Sequence, residues 1–375
     1  MGFVLHGARV FDGERFCDNA AVLIEGRHIA GIAEAGTVPR DAALIRLDGG
    51  ILAPGFIDVQ VNGGGGALLN DGPTPEIVCT IADSHRRFGT TGMLPTVITD
   101  APAVTAAAVA AVREARARGA ASVLGVHIEG PFLDPARKGA HDLHFIRAMT
   151  EADVTLIAEA ACGSVMVTVA PNKVAPELIS RLARAGVKVS LGHSDATSAE
   201  AKAALRAGAQ AFTHLFNAMS QMTGREPGMV GAALTDAASF IGIIADGHHV
   251  HDATLRVALA AAPHDRFMLV TDAMPPAAGG PDSFTLQGRT VARFEGRLQL
   301  DDGTLAGSNL TMDEALRHGV NKLGVPLADA LQMASRNPAR FLGRGDLGII
   351  APGALASLVH LDDNLNVKRT WVEGR

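Results

Sequence analysis

Tyrosine is absent from this chain of 375 residues, tryptophan occurs once, and aromatics make up only 4% of it. A stacking platform for nucleic-acid bases is therefore missing. The formal net charge of −6 likewise supplies no cation excess to follow a phosphate backbone, so no nucleic-acid partner is expected. Cysteine is scarce: Cys17, Cys79 and Cys162 are far apart, odd in number and never paired as CxxC. That excludes a disulfide framework and a thiolate metal site, and makes a reducing cytoplasm the expected location. No apolar run approaches the ~18 residues needed to span a bilayer. The opening MGFVLHGARVFDGERF lacks the basic-then-apolar order of a secretory signal, so no membrane partner is expected either.

What the chain does have is apolar material, 47% of it, much as alanine in short helical stretches such as Ala106–Val112. The length suits a (β/α)8 barrel of ~250 residues with an accessory domain. The first 50 residues read as short strands between glycine turns, and so do the last 25. Two β-rich ends predict either one small sheet domain built from both termini or two separate end caps. From Ala53 onward, apolar runs alternate with helical patterns. The runs are Phe56–Val61, Gly92–Val97, Val123–Ile128, Val165–Ala170, Val187–Leu191, Ala209–Thr213, Ile241–Ala245 and Phe267–Thr271. Helices are predicted near Pro75–Phe88, Pro102–Arg118, Glu151–Ala161, Ala175–Ala185, Ser198–Ala207 and Asp252–Ala262, and later at Thr311–Leu323 and Leu327–Ser335. Eight continuous apolar runs in a βαβ rhythm favour a closed barrel over an open sheet. Residues 284–307 break the rhythm as inserted hairpins.

Active sites of such barrels lie at the carboxyl ends of the strands. Those ends read Gln60/Asn62, Thr96, Glu129, Asn172, His193, His214, Asp246 and Asp272. One polar strand end means little, since a carboxylate there is often a solvated loop residue or a helix cap, and a histidine a satisfied core residue. Four metal-ligand or proton-transfer types, in HIEGP, LGHSD, THLFNAM and VTDAMPP, are hard to assign to chance. Two imidazoles and a carboxylate with an open position suit a catalytic divalent ion, zinc above others. Asp272 is placed to take a proton from water and return it to a leaving group. His127 shares a side of its strand with Glu129 and is either a support for it or a satisfied core residue. The Gly63–Gly66 run is either an anion-binding nest or a turn.

Several stretches together resemble the amidohydrolase superfamily: LAPGFID, RNPARFLG (Arg336–Gly343) and GIIAPGALASLVHLD (Gly348–Asp362). Within it, HIEGPFLDPARKGAH, LGHSDA, THLFNAMSQMTGREPG, VTDAM and LAGSNLTM resemble the N-acetylglucosamine-6-phosphate deacetylase family, across nearly the whole chain and in order. The resemblance implies an α/β fold, a (β/α)8 TIM barrel over 53–344 beside a small β-sandwich from 1–52 and 345–375. It implies hydrolysis of the N-acetyl amide of N-acetylglucosamine 6-phosphate to glucosamine 6-phosphate and acetate. Carried over by motif, Glu129, His193 and His214 become the metal ligands, Asp272 the acid/base, and His141 the residue facing the acetamido carbonyl. Ala140, Asn217, Ala218, Asp246, His249, Leu305, Ala306 and Gly307 become substrate contacts. Arg225, in GREPG, becomes the group that reaches the phosphate of the neighbouring site in a homodimer; guanidinium suits phosphate through paired hydrogen bonds.

Two departures sharpen the expectation. Many amidohydrolases carry His-x-His after strand one, where this chain has Gln60 and Asn62, so one divalent ion per subunit is expected rather than two. No bridging lysine is evident after strand four, because Lys173 lies past the strand end. The extra histidines His248 and His251 receive no role. A deacylase of another N-acetylated sugar phosphate or of an N-acyl amino acid is the rival within this chemistry. A non-catalytic sugar-phosphate-binding protein is the rival outside it.

Overall fold

The alternation of apolar runs and helical patterns resolves, in a computed structural model that describes residues 2–37 and 43–375, into eight parallel strands; positions 38–42 of the expected 1–52 segment lie outside the described residues. The strands are Phe56–Val61, Thr90–Ile98, Gly125–Glu129, Ser164–Val169, Lys188–Leu191, Ala211–Phe212, Phe240–Ile243 and Phe267–Leu269. Each pairs with the next in sequence. The eighth returns to the first through a parallel bridge, Val61 to Ala273, and through bonds from the Asp272 N–H to the Gln60 carbonyl and the Asn62 N–H to the Ala273 carbonyl, both 2.9 Å. The barrel is thereby closed, and all eight apolar runs of the sequence fall on its strands.

The intervening helices start where capping chemistry starts them. Thr74 accepts from the Ile77 N–H ahead of Pro75–Arg86, and Thr150/Asp153 and Thr197/Glu200 form reciprocal capping boxes. Two helices escape the periodicity. Gly228–Thr235 (GMVGAALT) is buried at seven of its eight positions, so it has no polar face to give an amphipathic period. Arg336–Leu342 begins directly after Leu327–Ala334 and contains Pro338. Asn337 anchors it by donating to the carbonyls of His264 and Phe267 at the foot of strand eight.

The terminal segments form two further sheets. His28–Glu34, Ala20–Glu25, Gly2–His6 and Ala43–Arg46 make one; Val367–Trp371, Leu358–Leu361, Ile51–Pro54, Arg9–Phe11 and Phe16–Cys17 make the other. Leu5, Val22, Ile24, Leu52, Leu358 and Trp371 pack between them. Ile51–Pro54 runs through Gly55 straight into barrel strand one, and a Cβ on Gly55 would lie 2.0 Å from the Thr91 hydroxyl, so only glycine fits this junction. The insertion is a three-stranded meander, Ser283–Leu286, Arg289–Phe294 and Arg297–Leu300. Its Leu286, Val291, Leu298 and Leu300 share one apolar cluster with Leu68, Ile98 and Met274 at the barrel mouth, and Gln287 donates to the Thr99 carbonyl at the barrel rim. Among the described residues no helix is long and apolar enough to cross a membrane.

Under the loop after strand one sits His85, fully buried, with its Nε2–H donated to the Gly63 carbonyl at 2.9 Å and Nδ1 without a partner among the described residues. Burial pushes its pKa down to about 4, against the help of that bond. A base depressed in the folded state takes up its proton more readily when unfolded. Its contribution is intact above the ordinary histidine pKa and is lost as pH falls from about 6.5 through 4. Unfolding midpoints in urea should therefore fall over that window, and His85→Gln should flatten the fall; an unchanged slope would show that His85 is not its source.

Candidate metal centre and active-site cavity

Strand three ends on Glu129, and its register sets Glu129 beside Ile98 of strand two and Thr168 of strand four. The residues just beyond strands five and six are His193 and His214. Glu129 Oε1 lies 3.3 Å from His193 Nε2 and 3.1 Å from His214 Nε2, and the two Nε2 atoms are 3.1 Å apart. All three residues are buried, and they are the one group of such side chains near enough to hold a metal among the described residues. His193 Nδ1 bonds the Arg137 carbonyl at 3.0 Å. A carbonyl can only accept, so Nδ1 carries the hydrogen and Nε2 is left as a lone pair aimed at the other two donors. Donors on a tetrahedral ion with bonds of about 2.0–2.1 Å stand about 3.3 Å apart. The donor types, their spacing and the tautomer all fit a divalent ion.

The backbone at these strand ends is unusual. His193, His214 and Asp272 all adopt left-handed conformations, φ 46°, 28° and 52°, as does Ala218 at 48°. Such conformations cost on the order of 1–3 kcal/mol each and persist only where surrounding bonds over-determine them. Here they do: the Asp134 N–H donates to the His193 carbonyl, the Leu215 N–H to the Gly242 carbonyl, and the Ser308 N–H to the Asp272 carbonyl.

Gln60 and Asn62 project from strand one. Gln60 Nε2 donates to Glu129 Oε1 at 3.0 Å and to Asp272 Oδ1 at 3.1 Å; Asn62 Nδ2 donates to Asp272 Oδ1 at 2.7 Å. Both amides thus spend their N–H groups on the carboxylates. Burial raises the Asp272 pKa, the neighbouring Glu129 charge raises it further, and the result is about 6. Burial also raises Glu129, but the imidazoles of His193 and His214, within 3.3 Å of its Oε1, outweigh it and hold that carboxyl well below its ordinary range. One carboxylate is kept charged and the other is poised near neutrality, a division that suits ligand and proton carrier.

A cavity of about 410 Å³ opens over this cluster at the carboxyl end of the barrel. His141 lines it, its Nδ1 bonded to the Thr99 hydroxyl at 2.7 Å and its ring edge-on to His193. Ala140, Asn217, Ala218, His249, Leu305 and Gly307 also face it. Asp246 stands behind His249, taking Nδ1 at 2.7 Å and two backbone N–H groups, so it orients that ring rather than lining the wall. Ala306 is buried beneath. Arg225 is exposed on its loop and does not line the cavity of its own chain. Lys173 turns away to Asp134, 3.6 Å distant. His127 is a satisfied core residue, bonded to Thr96 and Thr168 within a layer of hydroxyls below the site. The Gly63, Gly65 and Gly66 N–H groups are donated to the carbonyls of Ala273, Ala277 and Pro275, so that run is no anion nest; it is a turn, tied down and closing a short hairpin in which Gly63 and Gly64 pair with Leu68 and Ala67.

Thr99 escapes the strand-end reading because strand two runs to Ile98, one residue past the predicted Val97; Thr99 is the first residue beyond the true end. Asp58, which bonds Thr271 beneath Asp272, carries no strand-end signal because it lies in the middle of strand one, inside the barrel.

Residues 51–375 match the amidohydrolase family. The chain is 41% identical, over 99% of its length and 95% of the relative's, to an N-acetylgalactosamine-6-phosphate deacetylase of Shewanella sp. (strain ANA-3). It superposes with TM-score 0.97 and 34% identity on the crystal structure of an N-acetylglucosamine-6-phosphate deacetylase from Pasteurella multocida, covering 100% of this chain and 99% of that one. A mutant Mycobacterium smegmatis N-acetyl-D-glucosamine-6-phosphate deacetylase in complex with N-acetyl-D-glucosamine-6-phosphate matches with TM-score 0.93 and 30% identity, over 100% of this chain and 98% of that one. The chain belongs to the amidohydrolase family.

Elemental analysis of the purified protein should give one divalent ion per chain. His214→Ala should lower retention by at least about 10-fold, since even partners outside the ligand set cost 10–100-fold. Two ions per chain would contradict the reading of Gln60 and Asn62.

Proposed function

We propose that this member of the amidohydrolase family hydrolyses the N-acetyl amide of an N-acetylated hexosamine 6-phosphate, N-acetylglucosamine 6-phosphate, giving glucosamine 6-phosphate and acetate. The observation that carries the reading is the convergence of Glu129, His193, His214, Asp272 and His141 on one cavity at the barrel mouth. A sugar-phosphate-binding protein without activity would need neither a proton carrier nor an open ligand position.

Glu129, His193 and His214 would hold the ion, which we assign as zinc from its two imidazoles and one carboxylate. Bound there, it supplies Lewis acidity to the amide carbonyl and acidifies water. Asp272, held by Gln60 and Asn62, takes the proton of the attacking water on its carboxylate and delivers it to the amide nitrogen. The amine is too basic to depart as an anion, so C–N cleavage waits on that delivery. His141 is fixed through Nδ1 by Thr99, which leaves its other ring nitrogen to hydrogen-bond the carbonyl oxygen as charge develops. Asn217, Ala218, His249 and the Leu305–Gly307 segment form the sugar-binding walls.

Arg225 is assigned to the phosphate of a neighbouring subunit. Exposed Met222 and Val257, with Phe216 and Leu234, make an apolar patch beside its loop, which supports a homodimer across that face. Three free thiols support a cytoplasmic setting. A second reading, N-acetylgalactosamine 6-phosphate as substrate, is favoured by the 41% identical relative of that name.

Acetate release should be measured on both 4-epimers, with and without the 6-phosphate. Preference for one phosphorylated epimer assigns the substrate, and equal rates without phosphate would defeat the phosphate claim in favour of a general N-acyl substrate. Asp272→Asn should lower kcat by about 10²–10⁴-fold while metal content holds; retained turnover would remove the acid/base assignment. Arg225→Ala should raise KM about 10-fold or more for the phosphorylated sugar only, as expected for a lost charge-assisted pair.

A further inference from the structure

Asp58 is fully buried inside the barrel on strand one, and no cation is among its bonding partners in the described residues. A lone carboxylate at that depth is costly, and barrel closure does not require it. Strands one and eight are already joined by the Asp272 N–H to the Gln60 carbonyl and by the Asn62 N–H to the Ala273 carbonyl. What Asp58 adds is local. Its Oδ2 accepts the Thr271 hydroxyl at 2.5 Å, and both its oxygens lie 3.3 Å from the Thr271 N–H. The Thr271 hydroxyl oxygen in turn accepts the Ala273 N–H at 3.2 Å. The backbone is therefore gripped on both sides of Asp272, the residue held at φ 52°. On the outer side, Ser308 completes the clamp by donating its hydroxyl to the Thr271 carbonyl at 2.5 Å and its N–H to the Asp272 carbonyl.

We infer that Asp58 is a positioning residue for the proton carrier: through the Thr271 hydroxyl it locks Asp272 in its left-handed conformation and so aims the carboxylate at the reacting amide. The inference rests on the reading of Asp272 as acid/base. Strand one then serves Asp272 three times, with Asp58 fixing its backbone and Gln60 and Asn62 its carboxylate. A shift of about 1 Å in a positioned group is enough to cost 10²-fold in rate.

Two variants test it. Asp58→Asn weakens the grip on Thr271, and Thr271→Val removes the hydroxyl at nearly constant volume; Thr271→Ser is the conservative control. In the first two, kcat should fall about 10- to 100-fold with KM and metal content unchanged, and the pH profile of kcat should be displaced, while Thr271→Ser restores both. The crystal structure of Thr271→Val should show Asp272 out of the left-handed region or its carboxylate parted from Gln60 and Asn62. Wild-type kcat in Thr271→Val, or an Asp272 unchanged in that structure, overturns the inference, as does a loss of kcat that only tracks lost metal or lost folded protein. Should Asp58→Asn fail to fold, Thr271→Val decides alone. The conformational readout needs no substrate, so it stands apart from the deacetylase reading, which wild-type acetate release tests.

Discussion

Glu129 Oε1 receives two imidazole nitrogens and the Gln60 amide within 3.3 Å, in an interior where an uncompensated carboxylate would be intolerable. Meeting that demand fixes much else. The two histidines must come from strands five and six, their backbones must turn left-handed to point inward, and Gln60 must stand on strand one. Gln60 is the hinge of the arrangement, because the same Nε2 also reaches Asp272. Gln60 thus links the buried Glu129 carboxylate to Asp272, which its own burial and the neighbouring Glu129 charge keep nearer neutrality than an isolated aspartate.

The barrel was legible because strands buried on both faces leave uninterrupted apolar runs, and all eight were readable even where only Ala211–Phe212 is formally paired. The helices read well where one face meets water and a threonine caps the start. Gly228–Thr235 was hidden by being apolar on every side, and Arg336–Leu342 by its proline. The cluster of Glu129, His193 and His214 was legible for the same reason as the strands: polar residues that end an apolar run stand out. Residues acting from within the barrel do not. Asp58 matters through what it touches, and a contact across 213 residues of sequence, as between Asp58 and Thr271, leaves no local pattern. Asp246 was rightly placed at a strand end, yet its reach is spent on His249 and two backbone N–H groups.

The insertion belongs to the site more than its sequence suggests. Gln287 bonds the carbonyl of Thr99, the residue that fixes His141, and Arg289 bonds the carbonyl of Ala140 next to it at 2.6 Å. A meander that shares its apolar cluster with Leu68, Ile98 and Met274 is thereby tied to one wall of the cavity, while the Leu305–Gly307 segment that follows it supplies another part.

Closure between strands one and eight has a consequence in time as well as space. Gln60 and Asp272 are 212 positions apart, whereas the three ligands span only 129 to 214. A chain emerging from the ribosome would therefore present Glu129, His193 and His214 before Asp272 is made. Asp272 gains its contacts with Gln60 and Asn62 only when the last strand docks on the first, so this part of the site exists only in the closed barrel.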